Sequence, residues 1–375
     1  MFSTPYRGLF GRIVAVTGQV TQRDYSLSGP ENRRAVEQGL ATAKWYISPI
    51  PRKRLKEMMQ RKDGPAIRDT LIWFAALGLF GGLGVYFWGT WWAVPAFAVY
   101  GVLYGSAGDS RWHECSHGTA FKTRWMNEAV YQIGSFFVLR EPVPWKWSHA
   151  RHHTDTIIVG RDPEIAVPRP TNLFHVVLGF INVRHGSKEL REILLHCFGR
   201  LVAEEEDYIP ESEHYKVYRT ARIYALIFAT VIGLSIYFQS FLPLVLVGLP
   251  SFYGAWLHYL CGLTQHAGLA EDVLDHRLNC RTVYMNPIVQ FIYWNMNYHV
   301  EHHMFPLVPY HALPALHEEL KPDMPPAYQG FVETYREIIP TLVRQATDPQ
   351  GYVRRPLPTA PATRSAELTA ASATA

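Results

Sequence analysis

Residues 71–108 of this chain contain no Asp, Glu, Lys or Arg, and neither do residues 223–270. No other feature limits the fold as sharply, because apolar runs of that length have to be kept from water. Each run is too long for one membrane-spanning helix and suits two. Residues 71–88 and 91–108 would each measure about 27 Å at helical rise, close to the hydrocarbon thickness of a bilayer. Gly89 and Thr90 separate them, and Trp88, Trp91 and Trp92 cluster at that turn, where aromatic belts sit. The second run divides the same way into 223–238 and 241–260, with Ser240 and Pro243 near its far turn. The expected architecture is an all-α integral membrane protein with four transmembrane helices in two hairpins. A mean hydropathy of −0.07 conceals this local contrast. Gly78 and Gly82 form a G-x-x-x-G suited to close helix packing. The glycine-rich run 78–84 lies inside a span without a strand–turn–helix context, so it is not a nucleotide loop.

Residues 1–70 are polar and basic, with Arg52, Lys53, Arg54 and Lys56 followed by Arg61, Lys62 and Arg68. Basic residues flanking the first span place this end, and with two hairpins both termini, in the cytoplasm. The same face suits anionic headgroups or an acidic electron carrier. A net charge of +4 in 375 residues gives no sign of nucleic-acid binding. Residues 1–20 lack the apolar core and cleavage pattern of a secretory signal. The four cysteines, Cys115, Cys197, Cys261 and Cys280, form no C-x-x-C and read as reduced thiols. The organisation is therefore a basic segment (1–70), a membrane catalytic domain (71–320) and a C-terminal extension (321–375) whose tail, 356–375, is low in complexity.

Histidines carry the chemistry. His113 and His117 form H-x-x-x-H, while His149, His152, His153 and His299, His302, His303 form two H-x-x-H-H boxes. Residues three and four apart share a helical face, so each box is a stripe of imidazoles. Eight rings exceed the four ligands one zinc takes, and imidazole suits iron, copper, nickel and zinc alike, so the number argues for two metals. The second hairpin returns His266 to the membrane face that carries His113; His258 reads as a structural hydrogen-bonding residue. Asp109, one turn before His113, and Asp155 are candidates to support the imidazoles or moderate the metal charge. Asn295, one turn before His299, is a candidate to orient a water or ligand.

Local signals complete the outline. Pro144 fits the first turn of a helix bearing box two, and residues 171–200 read as amphipathic helices lying on the surface. Residues 204–207 read as a solvated acidic turn. Asn286 and Pro287 read as a cap and first turn of a helix presenting Ile288, Phe291, Ile292, Asn295, His299, His302 and His303 on one face. His113-Glu114-Cys115-Ser116-His117 also satisfies H-E-x-x-H, which would make Glu114 the general base of a membrane zinc protease. A carboxylate-bridged bundle would need paired E-x-x-H motifs, and Glu211 with His214 supplies one.

The three boxes, together with Thr264-Gln265-His266, resemble the membrane fatty acid desaturase and hydroxylase superfamily from about Trp45 to Glu319. That resemblance implies four membrane helices under a cytosolic cap. It also implies two irons held by His113, His117, His149, His152, His153, His266, His299, His302 and His303. It further implies attack on an unactivated C–H bond with O2 and two electrons. The run from Asn297 to Pro306, with Tyr310-His311-Ala312-Leu313-Pro314, is similar to bacterial members. These include fatty acid desaturases and a hydrocarbon oxygenase of rhizopine catabolism that demethylates a smaller, non-lipid substrate. The latter implies a ferredoxin with its reductase as electron donor, and a bacterial inner-membrane setting. The first box is shorter than in acyl-CoA desaturases, and the central motif lacks their asparagine, which points away from an acyl-CoA substrate. No fused haem or iron–sulfur motif is visible, so the resemblance implies a separate electron donor.

Overall fold

The computed structural model describes residues 23–358. The expectations for residues 1–20 and for the tail beyond 358 lie outside them. Among the described residues there is no β-strand, only isolated bridges between Thr282 and Tyr298 and between Val283 and Tyr328.

Helix α1 (Pro30–Glu37) is followed by α2 (Arg52–Met58), the exposed basic cluster, whose Arg54 reaches Glu319 at 2.7 Å. Helix α3 (Asp63–Tyr86) starts where Asp63 accepts hydrogen bonds from the Thr123 amide and hydroxyl at 2.9 and 2.8 Å. It buries Ala66, Trp73, Leu77, Gly81 and Gly84 at helical spacing, and leaves Leu71, Ile72, Leu79 and Val85 exposed. Its close-packing glycines are not the expected pair. A Cβ at Gly78 or Gly82 would meet nothing within 4 Å, whereas one at Gly81 or Gly84 would lie 3.1 Å from Tyr100 or 2.6 Å from Phe97. The Trp73 stripe sets the rotation of the helix, and Gly81 and Gly84 lie on that stripe.

Helix α4 (Ala93–Gly101) runs through a π-turn (Val102–Ser106) directly into α5 (Ala107–Ser116), so box one ends a continuous rod that begins at Ala93. At the π-turn Ser106 Oγ donates to the Gly254 carbonyl at 2.6 Å, and a Cβ on Gly254 would sit 1.8 Å from the Gly101 oxygen. Only glycine permits that backbone contact. Helix α6 (Arg124–Phe137) packs along α5, with Gly134 against the Trp112 backbone. Helix α7 (Pro142–Thr154) carries box two, with Pro142 and Pro144 in its first turn. Helices α8 (Leu173–Gly179) and α9 (Val183–Cys197) expose Phe174, Val177, Leu190 and Leu194, as amphipathic surface helices do. The acidic turn after them exposes Glu204, Glu206 and Asp207 as expected, with one exception. Glu205 is buried and accepts from His196 Nε2 at 2.7 Å, and His196 Nδ1 bonds Glu141, the residue that precedes α7.

Helix α10 (Glu211–Tyr237) and the stretch Arg52–Tyr86 are the two long helical segments among the described residues that are apolar enough to cross a membrane. The return arm expected over 241–260 is not one helix. It is divided into α11 (Leu242–Leu246), α12 (Pro250–Tyr253) and α13 (Trp256–His266), because Gly248 turns left-handed (φ 93°) and Pro250 offers no amide proton. Next come α14 (His276–Asn279), α15 (Pro287–Tyr293), α16 (His299–Met304), α17 (Leu313–Leu320) and α18 (Phe331–Gln345).

Asn286 caps α15, accepting from the Val289 amide at 3.0 Å. The helix does not run on into box three as expected. Trp294 and Asn295 adopt left-handed conformations (φ 45° and 57°), and α16 restarts at His299. Two such residues cost about 1–2 kcal/mol each. The offset is visible: Trp294 stacks flat on Tyr310 at 4.3 Å, and Asn295 Nδ2 donates to the Tyr310 carbonyl at 3.1 Å. Arg111 of α5 is wholly buried, donates to the freed carbonyls of Phe291 and Ile292 at 3.2 and 2.6 Å, and lies 4.8 Å from the Trp294 ring centroid. The helix of box one thus fixes the break that aims box three.

Candidate metal centre

All nine sequence-predicted imidazoles converge, and they sort into two sets. His113, His117, His149, His153 and His302 form one, and His152, His266, His299 and His303 form the other, with the ligand atoms of each set within 4.8 Å of one another. The boxes interlock rather than stack. In boxes two and three the i and i+4 rings go to one set and the i+3 ring to the other, which the near-100° helical step between i+3 and i+4 produces. Within the five-ring set, His113 and His302 approach Nε2 to Nε2 at 2.7 Å, His117 and His149 at 3.1 Å, and His149 and His153 at 3.2 Å. Within the four-ring set, His266 and His299 meet at 2.9 Å, and His299 and His303 at 3.0 Å.

Burial, and then the neighbouring imidazoles, hold His113, His117, His153, His266, His299, His302 and His303 well below the ordinary histidine value, so these rings are neutral. A neutral ring has one proton to offer. Five nitrogens crowding one point and four crowding another cannot satisfy each other, but they fit a cation each. Burial opposes protonation of His152 as well, yet the adjacent Asp162 carboxylate outweighs it and raises its pKa.

The groups that orient the rings are largely not the expected ones. His149 Nδ1 donates to Glu164 at 3.1 Å and His152 Nδ1 to Asp162 at 2.8 Å. His266 Nδ1 donates to the Asn279 carbonyl at 2.7 Å, and Thr156 Oγ1 lies 3.1 Å from His303 Nδ1. Each such bond turns the Nε2 lone pair inward. Asp109 instead pairs with Arg140, Asp155 with Arg161 at 2.9 Å, and Asn295 serves the Tyr310 backbone, so none of the three supports an imidazole. Asp162 and Glu164 lie in an irregular loop after box two, where no periodicity marks them. Glu301, inside box three, is fully buried and accepts from His317 Nδ1 and Thr282 Oγ1, each at 2.5 Å, bracing α16 against α17. His276 packs 5.2 Å from His303, beneath Trp45 stacked at 4.3 Å.

Glu114 does not meet the demands of the H-E-x-x-H reading. Its Oε1 accepts from Thr119 Oγ1 at 2.7 Å and the Tyr310 amide at 3.1 Å, and it is not among the residues lining the cavity that reaches the imidazoles. A cavity of about 450 Å³ reaches both sets, touching His113 and His149 of one and His152, His266 and His299 of the other. His258 lines it too, without joining either set.

Residues 89–335 match the Fatty acid desaturase family. The Delta(5) fatty acid desaturase fat-4 of Caenorhabditis elegans is 25% identical over 253 residues, covering 59% of this chain and 55% of that protein. An omega-6 fatty acid desaturase of the endoplasmic reticulum (isozyme 1) from Glycine max is 36% identical over 78 residues, and the Delta(12) fatty acid desaturase FAD2 of Calendula officinalis is 32% identical over 82. The chain spans about a fifth of the length of these two plant relatives.

Proposed function

This chain belongs to the fatty acid desaturase family, and from that premise we propose that it is a membrane-bound, non-haem di-iron oxygenase that oxidises an aliphatic C–H bond. The observation that carries the proposal is the sorting of nine buried imidazoles into two converging sets. Two irons, when bound, supply the activation of O2 that such an oxidation requires. Hydroxylation consumes one O2, two electrons and two protons to give an alcohol and one water; desaturation consumes the same and gives an alkene and two waters. His113, His117, His149, His153 and His302 would hold one ion, and His152, His266, His299 and His303 the other.

The protein's own contribution is placement. Asp162, Glu164, Thr156 and the Asn279 carbonyl hold rings at fixed angles, and burial keeps bulk water from them. The rod from Ala93 and the helices from Asp63 and Glu211, with the broken return arm, make four membrane helices under a cytoplasmic cap in this reading. Electrons arrive from a separate iron–sulfur donor of the ferredoxin type, and the exposed Arg52 and Lys53 suit its acidic surface. An acyl or lipid chain is the substrate that the relatives' names support. A smaller aliphatic molecule is the one that the charged lining of the cavity supports. A zinc hydrolase is disfavoured by the position of Glu114.

Purified protein is expected to contain two irons per chain by elemental analysis and to consume O2 only when reductant and an oxidisable substrate are both present. Protein purified with bound zinc and peptidase activity would overturn the proposal.

A further inference from the structure

The cavity that reaches the imidazoles is not lined as a channel for a bare hydrocarbon would be. Trp112, Trp145, Val167 and Leu263 give it apolar wall, but Asp109, Arg140, His185, Lys188 and His258 line the same space. The Arg140 guanidinium packs against both the Trp112 and Trp145 rings, 4.3 and 4.6 Å from their centroids, and pairs with Asp109. His185 Nε2 and His258 Nδ1 are buried and meet no hydrogen-bond partner among the described residues. On the side formed by α9, Arg184 makes no ion pair among the described residues, whereas Lys188 is held by Glu192 at 3.1 Å and Glu189 at 3.8 Å; the lining carboxylates Glu271 and Glu164 are engaged by Arg23 at 2.7 Å and His149 at 3.1 Å.

An alkyl chain in this space would strip water from these groups and return no hydrogen bond, which is costly for polar groups and more so for charged ones. Hydroxyl groups would return them, since each both donates and accepts. An anionic end would meet Arg184, the cation of the lining that makes no ion pair among the described residues. Pockets built this way use apolar surface for the skeleton and a few polar side chains for orientation.

We propose that the substrate is a compact aliphatic anion bearing hydroxyl groups, which Arg140, His185 and His258 bind, while Arg184 takes its charged end. The proposal rests on the oxygenase reading for the chemistry, but substrate binding can be measured without turnover.

The test is isothermal titration of the iron-loaded protein in lipid nanodiscs with two carboxylates, gluconate as the polyhydroxylated probe and octanoate as the unsubstituted one. Gluconate is expected to bind at least tenfold more tightly. His185→Leu and His258→Leu should each erase most of that preference by weakening gluconate and leaving octanoate unchanged. Equal or tighter binding of octanoate, or no gluconate binding at millimolar concentration, overturns the assignment. Should either variant fail to fold, the wild-type comparison still decides. Loss of the gluconate preference in a protein that still holds two irons and takes up O2 with another substrate removes the substrate class alone. Protein without iron removes the oxygenase reading instead.

Discussion

The two imidazole sets are made of the same side chain but anchored unequally. In the four-ring set, His152, His266 and His303 each have Nδ1 engaged, by Asp162, the Asn279 carbonyl and Thr156 respectively; His299 Nδ1 is buried without a partner. In the five-ring set, among the described residues, only His149 is held from outside, by Glu164, while the Nδ1 atoms of His153 and His302 are buried and unpartnered. Ring angle and tautomer are therefore set in advance at the smaller set, whereas at the larger one an arriving cation has to impose them. Preorganised ligands lose less entropy on binding, so the four-ring set should be the tighter of the two.

The largest expected effect comes from breaking each set in turn. His299→Ala and His302→Ala should both abolish turnover, by about a thousandfold or more, because ligands of one centre act as a unit. Their metal content should differ: His302→Ala keeps the ion of the better-anchored set and retains close to one iron per chain, while His299→Ala damages the tighter site and falls below that. Elemental analysis on folded, gel-filtered protein checks this. Equal iron content in the two variants would remove the asymmetry.

Exchanging the outer carboxylates sharpens the same comparison at a smaller scale. Asp162→Asn and Glu164→Gln should each weaken metal affinity by about 10–100-fold. Asp162 should cost more, since it also accepts from the Ile157 and Glu164 amides at 2.7 and 2.8 Å and so holds the loop that carries both carboxylates. Competition with a calibrated chelator measures it. If Glu164→Gln loosens the metal as much as Asp162→Asn does, anchoring does not rank the two sites.

How far the sequence anticipated this follows from what each feature depends on. The eight boxed histidines were legible because helical spacing is a local property, and His266 was placed by the hairpin pattern and the family resemblance. How the boxes are aimed at one another was not, since the direction of box three follows from Trp294 and Asn295 turning left-handed, and that turn is held by Arg111 and Tyr310, remote in sequence. Asp162 and Glu164 sit in irregular backbone where no period singles them out, so Asp109, one turn from His113, was the natural choice, and it pairs with Arg140. Apolar runs announced the long helices, yet could not report helix rotation, which assigns the packing to Gly81 and Gly84 rather than Gly78 and Gly82.

The smallest expected effect contrasts the seven rings whose pKa burial lowers with a histidine in the opposite state. His196 is also fully buried, and burial alone would neutralise it, but Glu141 on one side and Glu205 on the other push its pKa up to about 10. It is therefore an imidazolium at neutral pH, tying the residue before α7 to the turn beyond α9. Because the folded value lies above the unfolded one of about 6.5, this link stabilises fully below about pH 6.5 and loses its contribution as pH rises through about 10. A His196→Gln variant should melt about 2–4 °C below the wild type at pH 6.5, and the gap should shrink towards zero by pH 10.5. Turnover at pH 7 should fall by no more than about threefold, since His196 touches neither imidazole set. A gap that stays constant across that range would mean His196 is neutral when folded, and that the two carboxylates beside it do not hold a charge there.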